Sequence, residues 1–221
     1  MDGSKVTSTI KDEQLIERRR NQMIKGAVSL FKEKGFHRTT TREIAKASGF
    51  SIGTLYEYIR TKEDVLFLVC DSIYEKVKLR MEAAFVKESA SLGHLVQAVR
   101  AYFLLMDEMQ DEVVIMYQEL KSLSKEAQEY VIQKEKAMVA MLEQLLQDST
   151  PYKLKQRDVS LIANNIFIQG QMWGFRRWML QKEFTIASYT ERQVAFLLAG
   201  LGLEDDLSRL RFSNNLEGED L

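Results

Sequence analysis

The sequence predicts an all-α fold, and three observations support this prediction. Pro151 is the one proline in 221 residues, and so few turn-forming signals disfavour a sheet with many connections. Apolar residues recur at spacings near 3.6 along most of the chain. Helix-start signals of the capping-box type precede several of these segments. We therefore expect an N-terminal three-helix domain containing a helix-turn-helix, followed by a larger helical body.

The N-terminal part begins with an arm and one helix. Residues 1–11 are polar and non-periodic, so they predict a flexible arm. From Asp12 the apolar residues follow a helical period up to Gly35, a natural C-terminal cap. Residues 12–66 are predicted to form the first domain.

Two short helices follow within residues 40–59. Thr40 and Glu43 have the spacing of a capping box and predict a helix through residue 47. Gly49 predicts a left-handed turn, and Ser51 is placed to cap a third helix over 52–58 or 52–59. Isolated helices this short are marginal in water, so a specific geometry must require them.

The remaining helices are predicted from periodicity. Thr61 and Asp64 repeat the capping box and begin a long fourth helix that ends near Val86. Further helices are expected over 92–109, 112–121, 124–147, 156–182 and 189–203. Residues 67–207 are predicted to form the second domain, and residues 208–221 a frayed tail.

Composition and charge limit the function. Residues 1–66 hold 13 Lys and Arg against 9 Asp and Glu, whereas the whole chain has a net charge of −1. A basic N-terminal part on an acidic body indicates that one end meets nucleic acid. No run of about eighteen apolar residues and no secretion signal occurs, so a cytoplasmic protein is expected. Cys70 lies in the apolar run VLFLVC, which predicts a buried thiol, and a single cysteine forms no internal disulfide.

The short helices within residues 40–59 have the pattern of a helix-turn-helix, in which the second helix enters the major groove of DNA. Ile52, Leu55 and Ile59 fall within one arc of the third helix and are predicted to pack inward. Gly53 and Glu57 then point outward, and a glycine near the helix start lets DNA approach closely.

The stretch FKEKGFHRTTTREIAKASGFSIGTLYEYIRTKEDVL resembles the DNA-binding signature of the TetR family, the tetracycline-repressor-like regulators. The resemblance covers about 50 residues and rests on these positions: Ala27, Leu30, Phe31, Gly35, Phe36, Thr39, Thr40, Ile44, Ala45, Gly49, Ser51, Gly53, Thr54, Leu55, Tyr56, Lys62, Glu63 and Leu66. It implies an all-helical homodimer that binds an inverted-repeat operator in double-stranded DNA and responds to a small-molecule effector. Phe50 stands where the family usually has Val.

The resemblance implies which residues meet DNA. Phosphates would be held by Thr40, Thr41, Tyr56, Tyr58 and Lys62, and bases would be met by Arg42, Ile52, Gly53 and Thr54, with Ser51 at the same surface. Arg42 is the residue expected to bind a guanine, because its fork engages O6 and N7 together. The run Arg18–Arg20 is either a solvated helix face or supplies one contact to the DNA backbone.

The body supplies two further sets of candidates. Effector binding is predicted for an apolar, methionine-rich set with a few polar members: Phe103, Met106, Tyr117, Met138, Met141, Asn164, Phe167, Gln171 and Trp178. Dimerisation is predicted for small residues that allow close helix approach: Gly170, Gly174, Ala195, Ala199 and Gly202. The alternative, that the last two helices pack only within one chain, stays open.

Three functions are compatible with these patterns. The first is a repressor released by a largely apolar effector such as a fatty acyl chain or acyl-coenzyme A. The second is a DNA-binding adaptor of the same fold that recruits a protein partner and uses no small effector. The third, a helical enzyme, is not expected because no phosphate loop, dinucleotide fingerprint or nucleophile elbow occurs. No cofactor is expected, and His37 and His94 lack further metal ligands at suitable spacing.

Overall fold

The protein, described by a computed structural model over residues 3–85 and 91–203, consists of helices joined by short connections. No strand occurs within those two ranges. The helices are α1 (Gly3–Lys34), α2 (Thr41–Ala47), α3 (Ile52–Tyr56), α4 (Lys62–Phe85), α5 (Leu92–Glu108), α6 (Gln110–Glu119), α7 (Lys125–Ser149), α8 (Gln156–Phe175), α9 (Arg177–Glu183) and α10 (Ile186–Gly200). A short 3₁₀ turn at Leu120–Ser122 separates α6 from α7.

Several predicted boundaries differ from the observed ones; α3, predicted to end at residue 58 or 59, ends at Tyr56. Helix α1 begins at Gly3, so residues 3–11, predicted to be a flexible arm, are helical. Extending an existing helix costs far less than starting one, which explains how a polar segment without proline joins it. The helix predicted over 156–182 is divided at Arg176, whose φ of −106° and ψ of 21° leave the helical region. The last helix starts at Ile186, because Thr185 accepts a hydrogen bond from the amide of Ser188 and caps it.

The chain forms two compact units, which differ from the two predicted domains. One unit contains residues Met1–Ile73 together with Asp111–Ile132, and the other contains Tyr74–Gln110 together with Gln133–Leu221. Thus most of α6, predicted to belong to the body, lies in the same unit as α1–α3. The functional division at residue 66 stays a prediction, and the tail predicted at 208–221 lies outside the described residues.

One ion pair and one His–Glu contact join α6 to α1 and the loop that follows it within the first unit. Lys32 Nζ of α1 lies 2.7 Å from Asp111 Oδ2 in the first turn of α6. His37 Nε2, in the loop after α1, lies 3.3 Å from Glu119 Oε2 at the other end of α6. These partners are about eighty residues apart in sequence, so local patterns did not indicate the pairing.

The core of the first unit is built from apolar side chains of α1–α4. Met23, Ile44 and Leu55 are fully buried, and Phe31 packs edge-to-face on Phe36 with ring centroids 5.1 Å apart. Cys70 is buried as predicted, and burial raises the pKa of its thiol to about 12. A thiol so protonated is a packing group and not a nucleophile.

The core of the second unit is centred on α5, which packs against both α8 and α10. Tyr102 of α5 donates its hydroxyl to the carbonyl of Phe167 in α8 at 2.9 Å, and the two rings are stacked at 5.5 Å. Arg100 of α5 holds Glu191 of α10 through two hydrogen bonds of 2.7 and 2.8 Å. Among the described helices, none is long and apolar enough to cross a membrane.

Candidate nucleic-acid interface and apolar cluster

The reading head, residues 41–56, contains α2, a tight turn and α3. The predicted capping box is present: Glu43 N donates to Thr40 Oγ1, and Thr40 N donates to Glu43 Oε2 at 2.9 Å. Gly49 has φ +74°, the left-handed conformation predicted for it. Ser51 caps α3 by accepting from the amide of Thr54 at 3.0 Å. The turn is thus specified by its own local residues.

Glu43 has a second partner outside the box, Lys34 at the end of α1. The hydrogen bond from Lys34, together with those from Thr40, lowers the pKa of Glu43 to about 2. The carboxylate therefore stays ionised in the folded protein at pH values where an unfolded chain binds a proton. It stabilises the start of α2 and connects it to α1.

We expect this carboxylate to make stability depend on acid pH. Because the folded pKa is lower than the ordinary value of 4.5, the stabilisation is complete above about pH 4.5 and is lost as pH falls toward 2. In Glu43→Gln the free energy of unfolding should fall less over that range, since glutamine still caps the helix but does not titrate. Urea denaturation at several pH values measures the difference.

Lys34→Met is the matched variant for this test, because it removes the main cause of the lowered pKa and leaves the carboxylate. Its Glu43 carboxyl should titrate closer to the ordinary range, as followed by NMR. An unchanged Glu43 titration in Lys34→Met would show that the ion pair does not form in solution.

Hydroxyl groups of the reading head are held in pairs. Thr41 Oγ1 lies 3.1 Å from Tyr56 Oη and so joins the start of α2 to the end of α3. Ser51 Oγ, at the N-cap of α3, lies 2.9 Å from Thr54 Oγ1. The four predicted DNA-contacting residues thus form two hydrogen-bonded pairs, and Tyr56 remains more than half exposed.

Four other predicted DNA-contacting residues lie on three segments: Arg42 in the first turn of α2, Ile52 and Gly53 in the first turn of α3, and Tyr58 after α3. Arg42 and Gly53 are exposed, whereas Ile52 and Tyr58 are half-buried. A Cβ on Gly53 would meet only Ser51 Oγ, at 3.7 Å, within 4 Å, so the backbone there is open to an approaching molecule. Glu57 is exposed at the C-terminal end of α3. The roles of these residues on DNA stay predictions.

Lys62, predicted to hold a phosphate, is already engaged within the protein. Its ammonium donates to the carbonyls of Phe36, His37 and Thr39 at 3.0, 3.1 and 3.3 Å. It also lies 4.5 Å from the centre of the Phe36 ring. An ammonium has three protons, so a phosphate at Nζ would compete with these bonds. The structure thus gives Lys62 a role in holding the loop between α1 and α2.

The predicted effector set is only partly brought together. Phe103 and Met106 of α5 and Phe167 of α8 are buried in the packed core of the second unit, as are Met138 and Gln171, and Met141 is half-buried. Tyr189 of α10 joins this cluster with its ring 5.9 Å from Phe103, and burial raises the pKa of its phenol. We call these residues the apolar cluster. Tyr189 was missed because its helix was predicted to begin at that residue.

Three members of the predicted effector set lie elsewhere. Trp178 is 63% exposed, since the helix break at Arg176 separates it from the buried face of α8. Tyr117 is exposed and belongs to the other unit. Asn164 is exposed and donates to the carbonyl of Ser160 in its own helix at 2.8 Å. The structure therefore does not support a common pocket for these three with the apolar cluster.

The predicted dimerisation residues are likewise divided. A Cβ on Gly170 would lie 2.5 Å from the Tyr102 ring, and one on Gly174 would lie 3.2 Å from Gln110 Cβ. Both glycines are buried against neighbours in their own chain and are not available to a second copy. Gly202 has φ +66° and serves the turn after α10. Ala199 remains exposed and Ala195 half-buried.

The resemblance to the TetR family implied that the last two predicted helices, 156–182 and 189–203, pair with a second copy, but the exposed apolar residues of α8 and α10 were not among the predicted ones. Leu161 and Phe196 are 62% and 64% exposed, and Ile168 is 50% exposed. Between the two helices lies a hollow of ≈ 180 Å³ lined by α8 residues Ile162, Asn165, Ile166 and Gln169 and by α10 residues Phe196, Leu197, Gly200 and Leu201. We call this surface the α8/α10 face. The seven-residue spacing of Leu161 and Ile168 was the available signal.

Within the described ranges, no group of three or more His, Cys, Asp and Glu side chains is placed to hold a metal ion. The arrangement consists of a compact helix-turn-helix in one unit and an aromatic and methionine-rich core in the other. These features suit binding.

Comparison with known proteins agrees with this arrangement. Residues 23–69 match the family described as bacterial regulatory proteins, tetR family, and residues 90–200 match the tetracyclin repressor-like C-terminal domain. The HTH-type transcriptional regulator HbdR of Aromatoleum sp. (strain CIB) is 27% identical over 194 residues, which are 87% of this chain and 85% of that protein.

Two solved structures share the fold. A putative fatty acid metabolism regulator of Clostridium perfringens has a TM-score of 0.70 and 19% identity, with 81% of this chain and 97% of that chain covered. AibR in complex with isovaleryl coenzyme A and operator DNA has a TM-score of 0.66 and 19% identity, with 80% and 97% covered. The second family model alone spans half of the sequence, and this family regulates transcription and is non-enzymatic. The chain therefore belongs to the TetR family of helix-turn-helix transcriptional repressors.

Proposed function

We propose that this repressor binds an inverted-repeat operator as a homodimer and releases it when a largely apolar effector, a fatty acyl chain or its coenzyme A thioester, enters the second unit. The apolar cluster is the observation that carries the effector class. Its Phe103 ring lies 5.9 Å from the Tyr189 ring, and Met106 and Met138 are buried side chains of the same unit. Methionines adapt to irregular apolar ligands because their side chains are flexible and polarizable.

The free energy of burying methylenes indicates how long an acyl effector has to be. Each buried methylene contributes about 0.8 kcal/mol, so a chain of moderate length reaches micromolar affinity without a charged anchor. The hollow of ≈ 180 Å³ on the α8/α10 face is smaller than the pockets of about 300 to 1,000 Å³ that hold such ligands. Most members of the apolar cluster are buried in the packed core of the second unit, so an effector that enters it would displace side chains there, which suits an effector that favours a second conformation.

The neighbours support the same chemical class. One is named as a fatty acid metabolism regulator and another was solved with isovaleryl coenzyme A and operator DNA. These structures share only their fold with this chain. They support an acyl effector because an acyl chain is the kind of apolar ligand that the apolar cluster would accept. Release of DNA then follows if the effector binds more tightly to a state in which the two reading heads of the dimer no longer match the half-sites.

The α8/α10 face is the surface proposed for dimerisation. Leu161, Ile168 and Phe196 expose apolar area that a second copy would cover, and such patches on a protein surface mark interaction sites. In a two-fold dimer the α8/α10 face of one copy contacts the same face of the other. Such a dimer presents two reading heads to a palindromic operator.

A release titration tests the effector class. An operator selected from a random duplex library is labelled, and its release from the protein is followed by fluorescence anisotropy with acyl-coenzyme A thioesters of increasing length. Each two added methylenes should lower the half-release concentration about tenfold until the cluster is filled. Free coenzyme A should not release the DNA.

Met106→Ala and Met179→Ala form a matched pair for this titration. Met106 is buried in the apolar cluster and Met179 is exposed on α9. The dependence on chain length should change in Met106→Ala and stay as in the original protein in Met179→Ala. Release that ignores chain length would contradict an acyl effector. Stable operator binding that no ligand reverses, together with a protein partner on the exposed surface, would favour the adaptor.

A further inference from the structure

Three consecutive arginines in α1 differ in their surroundings. Arg18 and Arg20 are exposed, whereas Arg19 is half-buried, with its guanidinium carbon 4.7 Å from the centre of the Phe50 ring. None of the ion pairs among the described side chains includes Arg19. Its position is therefore set by the aromatic ring and not by a carboxylate.

Phe50 is a fixed support for this arginine. Its amide donates to the carbonyl of Ala45 at 2.8 Å, and its side chain is 9% exposed. It stands between Gly49, in the left-handed conformation, and Ser51, the N-cap of α3. The ring thus belongs to the turn of the reading head, although Arg19 belongs to α1.

A guanidinium over an aromatic ring can keep its N–H donors for another partner. An arginine on an aromatic face uses the face of its planar group, while its N–H donors point outward in the plane. Such a fork matches the oxygens of a phosphate, and a charge-assisted pair of this kind is among the stronger hydrogen-bonded contacts.

Through Phe50, Arg19 lies near the N-terminal end of α3. The N-terminal residues of a recognition helix face the bases, and the major groove they enter is about 12 Å wide and bordered by phosphates. Phe50 immediately precedes the N-cap of α3, so the guanidinium lies on the order of 10 Å from that helix end. A phosphate bordering the groove is within reach of a side chain placed there.

We propose that Arg19, held on Phe50, binds a DNA phosphate beside the groove that α3 reads. This contact lies outside the helix-turn-helix and rests on the proposed operator binding. Phe50 then has a second role besides packing, because its ring orients the arginine.

The test compares the three arginines on a selected operator duplex across a range of salt concentrations. Arg19→Ala should lower operator affinity about tenfold. It should also reduce the slope of log K against log salt by about 0.9, the value for one lost phosphate contact. Arg18→Ala and Arg20→Ala, which remove the same charge from the same helix, should change the slope by less than half as much.

Two further variants separate this role from others. The Phe50→Leu protein keeps Arg19 but lacks the ring that orients it. Its decrease in the logarithm of operator affinity should be at least half of the decrease in Arg19→Ala. Arg42→Ala should weaken binding differently for different operator base pairs, whereas Arg19→Ala should weaken all of them alike. Thermal unfolding of every variant, followed by circular dichroism, shows that the reading head remains folded.

Each outcome decides the proposal. Equal losses of operator affinity in all three arginine variants would show an effect of net charge alone and would overturn the proposal. A salt slope in Arg19→Ala equal to that of the original protein would also overturn it. A protein that binds no duplex would refute operator binding itself and this contact with it. Specific binding that is unaffected by Arg19→Ala would refute the contact alone.

Discussion

Phe196→Glu is expected to be a monomer that has lost at least about 100-fold in operator affinity, because two linked reading heads gain roughly 10² to 10⁴ from simultaneous binding. Phe196 is 64% exposed at the centre of the α8/α10 face, beside the hollow between the two helices. In a dimer each copy would bury one carboxylate at this face, so two like charges would lose their contact with water. Size-exclusion chromatography with light scattering measures the mass, and anisotropy measures the affinity.

Leu104→Glu is the matched control for this variant. Leu104 is an exposed apolar residue of α5 in the same unit, 43% accessible, and it does not line that hollow. It should remain dimeric and keep its operator affinity. A dimeric Phe196→Glu protein would move the interface to another surface. Dissociation of both variants would show that any added charge disturbs assembly.

Gly170→Ala is expected to destabilise the folded protein by about 1 to 3 kcal/mol, although alanine is the better helix former. The added methyl carbon would lie 2.5 Å from Tyr102 Cε1 and 3.1 Å from two other ring atoms. The ring has little freedom to withdraw, since it is buried, stacked on Phe167, and bonded through its hydroxyl to the Phe167 carbonyl. Urea denaturation measures the change in the free energy of unfolding.

Two comparisons show whether the clash is the cause. Gly53→Ala meets one atom at 3.7 Å, an ordinary contact, and should not destabilise the protein. Adding Tyr102→Leu to Gly170→Ala should cost less than the sum of the two single changes, because the shortened side chain makes room for the methyl group. Additive costs, or a Gly170→Ala protein as stable as the original, would contradict the close approach.

The sequence by itself determined the reading head. Thr40 with Glu43, Ser51 with Thr54, and Gly49 act over three or four residues, and the structure confirms both caps and the left-handed turn. The resemblance to the TetR family depended on this stretch and is confirmed by the family match. Local hydrogen bonds and backbone freedom are properties of neighbouring residues, so they can be predicted without knowing the rest of the chain.

The tertiary structure decided which face each helix buries and which side chains meet. Lys62 bonds to carbonyls some 25 residues away, and Arg19 stacks on Phe50. Gly170 packs against Tyr102 and Gly174 against Gln110, so these two glycines serve packing within one chain, and the exposed apolar residues of α8 are Leu161 and Ile168. Helical periodicity shows that a helix has an apolar face but does not identify the partner that covers it. That partner is set by contacts between residues far apart in the chain, which only the folded structure brings together.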